Sequence, residues 1–523
     1  MGRTYTLGNV PLPAKIETGE TELLADPLRL VLAGKEGTRK WEDAIFRLER
    51  QQATHALFRF SASNDVARLH GTLRAEYDGF LLYDIELEPA TEGTTVEGLS
   101  LEIPLWRKQT HFLRASRVPI DRWAAPEKIQ HALIGDVRDD IVPEGFAPGY
   151  SPQGWNWGDA FIPQFWVGDD HRGLWYFQDT PEGMHWEGSP LEVVEQGEKT
   201  LLRYHFINRP ISLSEPLRYR FALQATPVRK RERRLERLCY GFQPLWEIKR
   251  PELHADARGL VQGAVLWDFG RVEKDYRVTN PEELRTLVAD WRADGVEVLL
   301  NIGSGFYLEG EPEYQLYGPE WIQEPPVRYP NLAGTDVSLV KVCPQSSFPD
   351  YFLWWLEEMI EEYDVGGIYL DLSGPTGCGN PYHGCGRNGE TTAEMFDCRE
   401  FYKRCYTFLK EEGAKRGREF YIFQHSAEGI VTTFVGMMTK GEGWIQADTF
   451  EALRPTYFRA AESWRHLGDP FEGEIRIDRD GLGLPGGMLP VREILSGDQV
   501  ELSTDVLPVR VDAKSLKVLW VNK

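Results

Sequence analysis

An aspartate at the end of an apolar segment is the side chain best placed to do chemistry in this sequence. The segment Gly366-Gly-Ile-Tyr-Leu-Asp371 follows a helical pattern over residues 348–363. A helix followed by a buried strand with an acid at its carboxyl end is how parallel α/β enzymes present a catalytic carboxylate. A strand-end aspartate can equally cap a helix, so both interpretations of Asp371 are open at this point.

A glycine-rich loop follows Asp371 and carries Cys378, His383 and Cys385. Its composition predicts a surface loop, and we expect it to cap the site and bring His383 toward Asp371. The spacing suggests zinc, but it matches no standard zinc motif and the sequence shows no evident fourth ligand. A Cys378–Cys385 disulfide in an exported protein, or reduced structural thiols, is therefore preferred, and neither a metal nor another cofactor is expected.

Two kinds of periodicity divide the chain into elements that must position these residues. Residues 1–241 contain short alternating apolar runs separated by turn residues, which predicts an N-terminal β-sandwich. In residues 242–468 strands alternate with helices, which predicts a (β/α)8-type barrel whose length favours an incomplete one. Residues 469–523 are predicted to form a short C-terminal β segment. The predicted helices are 281–293, 348–363, 393–416 and 455–467, and the predicted strands include 260–267, 296–302, 366–371 and 419–425.

Residues at the carboxyl ends of parallel strands converge on one mouth of a barrel. The predicted strand ends carry polar and aromatic side chains, namely Trp267, Asp268, Asn301, Asp371 and His425. Two further acids follow, Glu442 between glycines and then Asp448. Glycoside cleavage needs paired carboxylates, since one protonates the leaving oxygen and the other attacks or orients. We expect Asp371 and Glu442 to be catalytic, with Asp448 as the other candidate partner.

The other polar and aromatic residues are expected to bind the substrate, and they are Trp267, Asp268, His383, His425, Trp155, Trp157 and Asn301. The chain is rich in aromatic residues, with 17 Trp, 21 Tyr and 25 Phe, and tryptophan faces stack well on sugars. Trp155 and Trp157 alternate around Asn156, so an extended segment would turn both rings to one side as a platform beside the barrel. Burial in the sandwich core is the plainer alternative for these rings.

Charge and hydropathy exclude several other kinds of partner. The formal net charge of −22 disfavours nucleic acid and anionic membranes. No apolar run approaches the ~20 residues of a membrane span, and no P-loop or dinucleotide fingerprint occurs. A neutral glycan raises no such conflict, whereas an acidic polysaccharide would need a local basic groove. Because the first residues lack a signal-peptide pattern, we expect a cytoplasmic protein, or an exported one whose leader lies outside this chain.

Motifs in both halves of the chain resemble proteins related to glycoside hydrolase family 123. In the first half these are Phe161-Ile-Pro163, Gly173-Leu-Trp175 and Phe221-Ala-Leu-Gln-Ala-Thr-Pro227. In the second half they are the segment ending at Asp371, the Cys378–Gly386 loop and Gln424-His-Ser426. The resemblance implies an N-terminal β-sandwich, a (β/α) barrel and glycoside hydrolysis.

The enzymes of family 123 proper are β-N-acetylgalactosaminidases that use an adjacent Asp-Glu pair and the acetamido group of the substrate. Here Leu372 follows Asp371, so we expect Asp371 to act directly as the nucleophile, with Glu442 as acid/base. Two other functions stay open. One is a non-catalytic carbohydrate-binding protein with a degenerate barrel, and the other is a polysaccharide lyase in which His383 or His425 acts with a tyrosine.

Overall fold

The computed structural model describes much of the chain in separate stretches. These are residues 2–8, 10–110, 112–118, 161–169, 172–228, 238–239, 263–266, 276–278, 280–329, 338–371, 375, 377–386, 392–424, 440–441, 471–476, 489–493, 499–502, 506–511 and 519–521. The chain divides into two compact units, Met1–Trp464 and Arg465–Lys523.

The first part of the larger unit is built from antiparallel strands. They are β1 (Arg3–Leu7), β2 (Pro13–Thr18), β3 (Thr21–Glu22), β4 (Arg29–Gly34), β5 (Gly37–Arg39), β6 (Glu42–Gln51), β7 (His55–Ser63), β8 (Ala67–Glu76), β9 (Phe80–Pro89), β10 (Thr94–Trp106), β11 (Phe112–Val118), β12 (Phe161–Gly168), β13 (Gly173–Gln178), β14 (Leu191–Gln196), β15 (Lys199–Ile207), β16 (Ile211–Leu213) and β17 (Leu217–Thr226). Two large sheets result, one ordered β14-β15-β10-β4-β5 with β16 on β10, the other β11-β12-β13-β17-β9-β8-β7-β6. We call this part the β-domain.

The inner faces of the two large sheets form one hydrophobic core. Strand β4 shows the alternation that drives this, because Leu30 and Leu32 are buried while Arg29 is exposed. Tyr176 of β13 and Tyr204 of β15 meet across the sheets with ring centroids 4.5 Å apart. Apolar side chains at every second position are removed from water only when two such sheets pack face to face. The predicted β-sandwich is therefore confirmed.

The second part of the larger unit alternates strands with helices. Its elements are β18 (Leu238–Cys239), β19 (Gly263–Leu266), α1 (Pro281–Ala293), β20 (Glu297–Gly303), β21 (Phe306–Leu308), α2 (Pro312–Trp321), β22 (Arg328–Tyr329), β23 (Leu339–Lys341), α3 (Phe348–Tyr363), β24 (Gly367–Asp371), α4 (Met395–Lys415), β25 (Tyr421–Gln424) and β26 (Lys440–Gly441). Six strands form a parallel sheet ordered β18-β19-β20-β24-β25-β26, and β21-β23-β22 form a small antiparallel sheet. The described strands thus show a parallel α/β sheet and do not show a complete eight-stranded barrel.

Both faces of the parallel sheet are covered, as its apolar strands require. One face packs on α1, α3 and α4 through a core that includes Leu300, Ile302, Ile368, Leu370 and Ile422 from the strands. The opposite face carries a separate apolar cluster of Val265, Leu299, Tyr369, Tyr421 and Phe423. The helices follow local signals, since α1 begins at Pro281 with two acids in its first turn, an arrangement that favours a helix start.

Gly367 allows neighbouring strands to approach closely at the start of β24. Its φ is +152°, and a Cβ built there would lie 2.0 Å from the carbonyl oxygen of Tyr421 on β25. Only glycine has both the backbone freedom and the missing side chain that this position requires.

Helix α4 joins the α/β part to the β-domain. Arg399 on α4 donates hydrogen bonds to Glu76 Oε2 at 2.7 Å and to Asp78 Oδ1 at 2.8 Å. All three side chains are almost completely buried. The expectation that the N-terminal domain packs against the α/β part, instead of moving freely, is confirmed.

The smaller unit contains only strands among its described residues. They are β27 (Phe471–Arg476), β28 (Leu489–Glu493), β29 (Gln499–Leu502), β30 (Val506–Val511) and β31 (Leu519–Val521), paired as β27-β30 and β29-β28-β31. The predicted helix 455–467 lies outside the described residues. None of the helices in the described stretches combines the length and the apolar character needed to cross a bilayer.

Candidate functional site

The carboxyl edge of the parallel sheet brings predicted site residues onto neighbouring strands. Strand β24 ends at Asp371, which pairs in register with Gly303 at the end of β20. Asn301 of β20 is only 2% exposed and pairs with Tyr369. Parallel strands present their carboxyl ends on one side, so Asn301 and Asp371 belong to the same edge.

Several predicted site residues lie outside the described residues. They are Trp155, Trp157, Trp267, Asp268, His425, Glu442 and Asp448. For Asp371 the structure describes the backbone alone. The catalytic and substrate-binding roles of all these residues, and the approach of His383 to the Asp371 carboxylate, therefore remain predictions.

The loop after β24 is fastened to the end of helix α2 by Asn380. The side chain of Asn380 is fully buried, and its Nδ2 donates to the carbonyl oxygens of Pro319 at 3.1 Å and Ile322 at 2.8 Å. Its Oδ1 accepts from the backbone N–H of Tyr382 at 3.0 Å. The last carbonyls of a helix lack partners within the helix. Asn380 satisfies two carbonyls at this end and fixes the loop in place.

His383 uses both ring nitrogens within this loop region. Its Nδ1 lies 2.7 Å from the carbonyl oxygen of Glu320 on α2, and its Nε2 lies 3.3 Å from Cys378 Sγ. Burial, the largest single effect, lowers the pKa of His383, but the hydrogen bond and charge of Cys378 together with the contacts to Glu320 outweigh it, so the pKa rises overall. The imidazole therefore belongs to a cluster with the cysteines.

Three cysteines and His383 form a cluster that the sequence does not reveal as one group. Cys343, two residues after β23, joins Cys378 and Cys385, and all three are at most 1% exposed. Their thiols are free, so of the two alternatives for Cys378 and Cys385 the structure has reduced thiols and no disulfide. Hydrogen bonds from Cys343 and Cys385 lower the pKa of Cys378, whereas burial raises the pKa of Cys343 well above its ordinary value.

A buried polar group borders the cysteine cluster. Gln323 Nε2 donates to both carboxylate oxygens of Glu394, at 2.8 and 2.7 Å. Burial, followed by the charge of Cys378, raises the pKa of Glu394 to about 7. Lys341 is also buried, which lowers its pKa, and it interacts electrostatically with Glu394 and Cys343. A basic and an acidic side chain are therefore buried in the same interior as the sulfur atoms.

A cavity of about 910 Å³ lies between the β-domain and the segments around this cluster. Its lining is largely charged or polar and includes Arg59, Asp84, Arg218, Arg220, Asp179, Asp397, Gln345 and Thr392. This volume matches a typical small-ligand site. Carboxylates and guanidinium groups bind hydroxyl groups through hydrogen bonds, so the lining suits a polar ligand.

Two carboxylates in this cavity, Asp179 and Asp397, influence each other. Asp179 Oδ1 accepts from the backbone N–H of Phe396 at 3.1 Å, at the start of α4. Arg220 Nη1 lies 3.9 Å from Asp179 Oδ2. Burial and the neighbouring Asp397 raise the pKa of Asp179 to about 8 against the opposing effect of Arg220. Near neutral pH this carboxyl therefore holds a proton.

The raised pKa of Asp179 predicts a stability that falls as pH rises. In the unfolded chain an aspartate loses its proton near pH 4, whereas folded Asp179 retains it to about pH 8. Between these values the unfolded state binds fewer protons, so the free energy of unfolding decreases with pH. Asp179→Asn keeps the acceptor oxygen without the charge. At pH 9 we expect this variant to be more stable than the parent by at least about 1.4 kcal/mol, and equally stable at pH 4.

Urea unfolding of both proteins from pH 4 to pH 9 measures this difference. Asp65→Asn, at an exposed carboxylate on the β-domain, is the control and should leave the pH profile unchanged. Parallel profiles for the parent and Asp179→Asn would contradict the assignment.

Sequence reasoning missed Cys343, Asp179, Asp397 and Glu394 as candidate functional residues. Cys343 lies 35 positions before Cys378, too far for a local spacing rule. One signal was available, because Cys343 directly follows the strand-like run Leu339-Val-Lys-Val342, in which three of the four residues are apolar. Asp179, on the β-domain, comes close to Asp397 only through the packing of α4.

Comparison with known proteins finds a family match for the first part of the β-domain. Residues 1–131 match the family model described as glycoside hydrolase 123, third domain. Over these residues, a quarter of the chain, the sequence is similar to that third domain. The motifs that suggested a resemblance to this family all lie after residue 131, so the match supports that resemblance from a separate part of the chain. No curated protein matches the chain.

Solved structures similar to this chain include three α-galactosidases. The galactosidase domain of the alpha-galactosidase-sucrose kinase AgaSK aligns over 99% of this chain and 89% of its own, with 11% identity and a TM-score of 0.38. The GH36 alpha-galactosidase AgaB from Geobacillus stearothermophilus aligns over 82% and 66%, with 12% identity and a TM-score of 0.42. The alpha-galactosidase from Lactobacillus brevis aligns over 99% and 89%, with 10% identity and a TM-score of 0.40. Similarity this weak establishes neither the fold nor the activity of this chain.

Proposed function

We propose that this protein is a glycoside hydrolase that cleaves a poly- or oligosaccharide with a pair of carboxylates. The observation that carries the proposal is the relation of residues 1–131 to glycoside hydrolase family 123. A parallel α/β sheet with an aspartate at the end of β24 follows the β-domain. That arrangement supports the proposal, because such edges commonly hold catalytic acids.

Asp371 is the proposed nucleophile and Glu442 the proposed acid/base. Attack by Asp371 on the anomeric carbon would form a glycosyl-enzyme intermediate, while Glu442 protonates the departing oxygen. Glu442 would then take a proton from the water that releases the sugar. Asn301, on the same sheet edge as Asp371, is proposed to hydrogen-bond the bound sugar, together with Asp268 and His425.

The tryptophans are proposed to supply the apolar contacts. Trp155, Trp157 and Trp267 would stack on the C–H faces of sugar rings, whose hydroxyl groups the polar residues bind. For His383 a direct substrate contact would require replacing a partner that it already has at Nδ1 or Nε2. We therefore propose that His383 acts mainly within the cysteine cluster.

Carbohydrate binding without cleavage is the second candidate function. The polar cavity of about 910 Å³ beside the β-domain favours it, because such a cavity could bind a glycan away from Asp371. This candidate predicts saturable binding with no change in the glycan.

Incubation with a panel of defined neutral and acidic oligosaccharides tests these alternatives. Hydrolysis releases new reducing ends without the ultraviolet absorbance of an unsaturated uronate, whereas a lyase produces that absorbance. Calorimetric binding without either product supports the second candidate. If no glycan in the panel is cleaved although several bind, the hydrolase proposal is wrong for this panel's linkages and the binding function takes its place.

A further inference from the structure

Four potential metal ligands meet at one point beside the carboxyl edge of the parallel sheet. The Sγ atoms of Cys343, Cys378 and Cys385 and a ring nitrogen of His383 all lie within 4.8 Å of one another. They come from two segments, one after β23 and one around the short 3-10 turn Pro381–His383. Since the three sulfur atoms are buried and the imidazole is half-buried, bulk water does not surround them.

Two of the distances between these atoms match the edges of a tetrahedral zinc site. With Zn–S near 2.3 Å and Zn–N near 2.0 Å, a tetrahedron has S···S edges of about 3.8 Å and S···N edges of about 3.5 Å. The Cys343 and Cys385 sulfur atoms are 3.8 Å apart, and Cys378 Sγ lies 3.3 Å from His383 Nε2. A disulfide requires about 2.0 Å between its sulfur atoms, so these distances fit a metal site better than a bond between cysteines.

The surroundings of His383 prepare it to be a ligand. The 2.7 Å contact between Nδ1 and the Glu320 carbonyl oxygen requires Nδ1 to carry the proton and donate it. Nε2 then offers its lone pair toward the sulfur atoms. A ligating histidine almost always donates its other N–H to a carbonyl or carboxylate in this way.

The cysteines also have the surroundings that metal-bound sulfur needs. The backbone N–H of Asn380 donates to Cys378 Sγ at 3.4 Å, and Asn380 is itself fixed to the end of α2. Gly386 closes the loop, since its φ is +69° and a Cβ there would lie 2.2 Å from the Gly379 carbonyl oxygen.

We propose that this protein binds one Zn²⁺ through Cys343, Cys378, His383 and Cys385. Four protein ligands fill the tetrahedron, so the ion is structural and has no open position for substrate. It links Cys343, after β23, to the loop residues 378–385, after β24. This site is independent of the proposed hydrolase function.

Metal analysis of the intact protein tests the proposal. The protein, purified in a non-chelating reductant and dialysed, should contain about one zinc per chain. Replacement by Co²⁺ should give a thiolate-to-cobalt charge-transfer band and the intense visible bands of a tetrahedral ion. Because Cys343→Ser removes a ligand, it should weaken Zn²⁺ binding, measured in competition with a chromogenic chelator, by more than the loss of a group that only contacts a ligand. That smaller loss typically lowers metal affinity by about 10–100-fold. Cys405→Ser, at a buried cysteine in the helix core, is the matched control and should bind like the parent.

If Cys343→Ser fails to fold, two variants of His383 test the proposal in its place. His383→Cys offers a fourth thiolate, so it should retain Zn²⁺ and shift the cobalt charge-transfer band, whereas His383→Ala should weaken binding. The proposal is wrong if the reduced parent protein binds no Zn²⁺ when Zn²⁺ is supplied, if His383→Ala binds as tightly as the parent, or if mass spectrometry finds a disulfide among these cysteines under reducing purification.

Discussion

Replacing Arg399 with methionine is expected to lower the free energy of unfolding by about 3–5 kcal/mol. The guanidinium is 2% exposed, pairs with Glu76 and Asp78 and lies 4.0 Å from the ring centre of Phe80. Burial opposes the charge on Arg399, but the two carboxylates outweigh it and raise its pKa. Without Arg399, the Asp78 carboxylate stays buried with Gln224 as its remaining side-chain partner among the described contacts.

Chemical denaturation of the Arg399→Met protein measures this loss. Arg404→Met is the matched control because it makes the same change on the same helix, where the ion pair with Asp350 is 48% and 72% exposed. Exposed pairs contribute at most about 1 kcal/mol. A second change, Asp78→Asn in the Arg399→Met protein, should restore part of the stability. If the two arginine substitutions lower the free energy of unfolding equally, the buried ion pair does not stabilise the packing between the two parts of the unit.

Asp371→Asn should reduce turnover by about 10³-fold or more on any glycan that the parent cleaves. Asparagine nearly matches the shape of aspartate but cannot act as the nucleophile. The fold and glycan binding should therefore persist, which circular dichroism and calorimetry can verify. An Asp371→Asn protein with full activity would overturn the proposed role.

Glu442→Gln should distinguish an acid catalyst from other roles. Only poor leaving groups need protonation, so the variant should lose most activity on natural oligosaccharides and least on activated aryl glycosides. Asp448→Asn is the comparison, since Asp448 is the other candidate partner. If the leaving-group dependence appears in Asp448→Asn instead, the acid/base role passes to Asp448.

The sequence predicted those elements whose signals are local. Helix α1 covers the predicted residues 281–293, and α3 the predicted residues 348–363. Predicted strand 419–425 is observed as Tyr421–Gln424. Proline at a helix start, acids in the first turn and apolar positions at helical spacing all act within one turn, so a sequence pattern captures them.

Features that depend on packing between distant segments were not predictable in this way. Helix α2 contains Gly318 and Pro319, residues that disfavour helices, and tertiary contacts such as the buried Trp321 stabilise it instead. The cysteine cluster needs Cys343, which only the chain path after β23 brings to Cys378. The loop sequence therefore predicted the types of possible ligand, cysteine and histidine, and only the fold identified Cys343 as the fourth.

The contact between Asp179 and the start of α4 bears on the order in which the chain folds. A residue of the β-domain accepts the Phe396 N–H, and its backbone carbonyl accepts the Ala393 N–H at 2.8 Å. The residue before the helix, Glu394, makes no side-chain capping bond of its own. During synthesis the β-domain leaves the ribosome first, and domains generally fold in that order. We therefore expect the first turn of α4 to form after the β-domain, on the acceptor atoms that Asp179 provides.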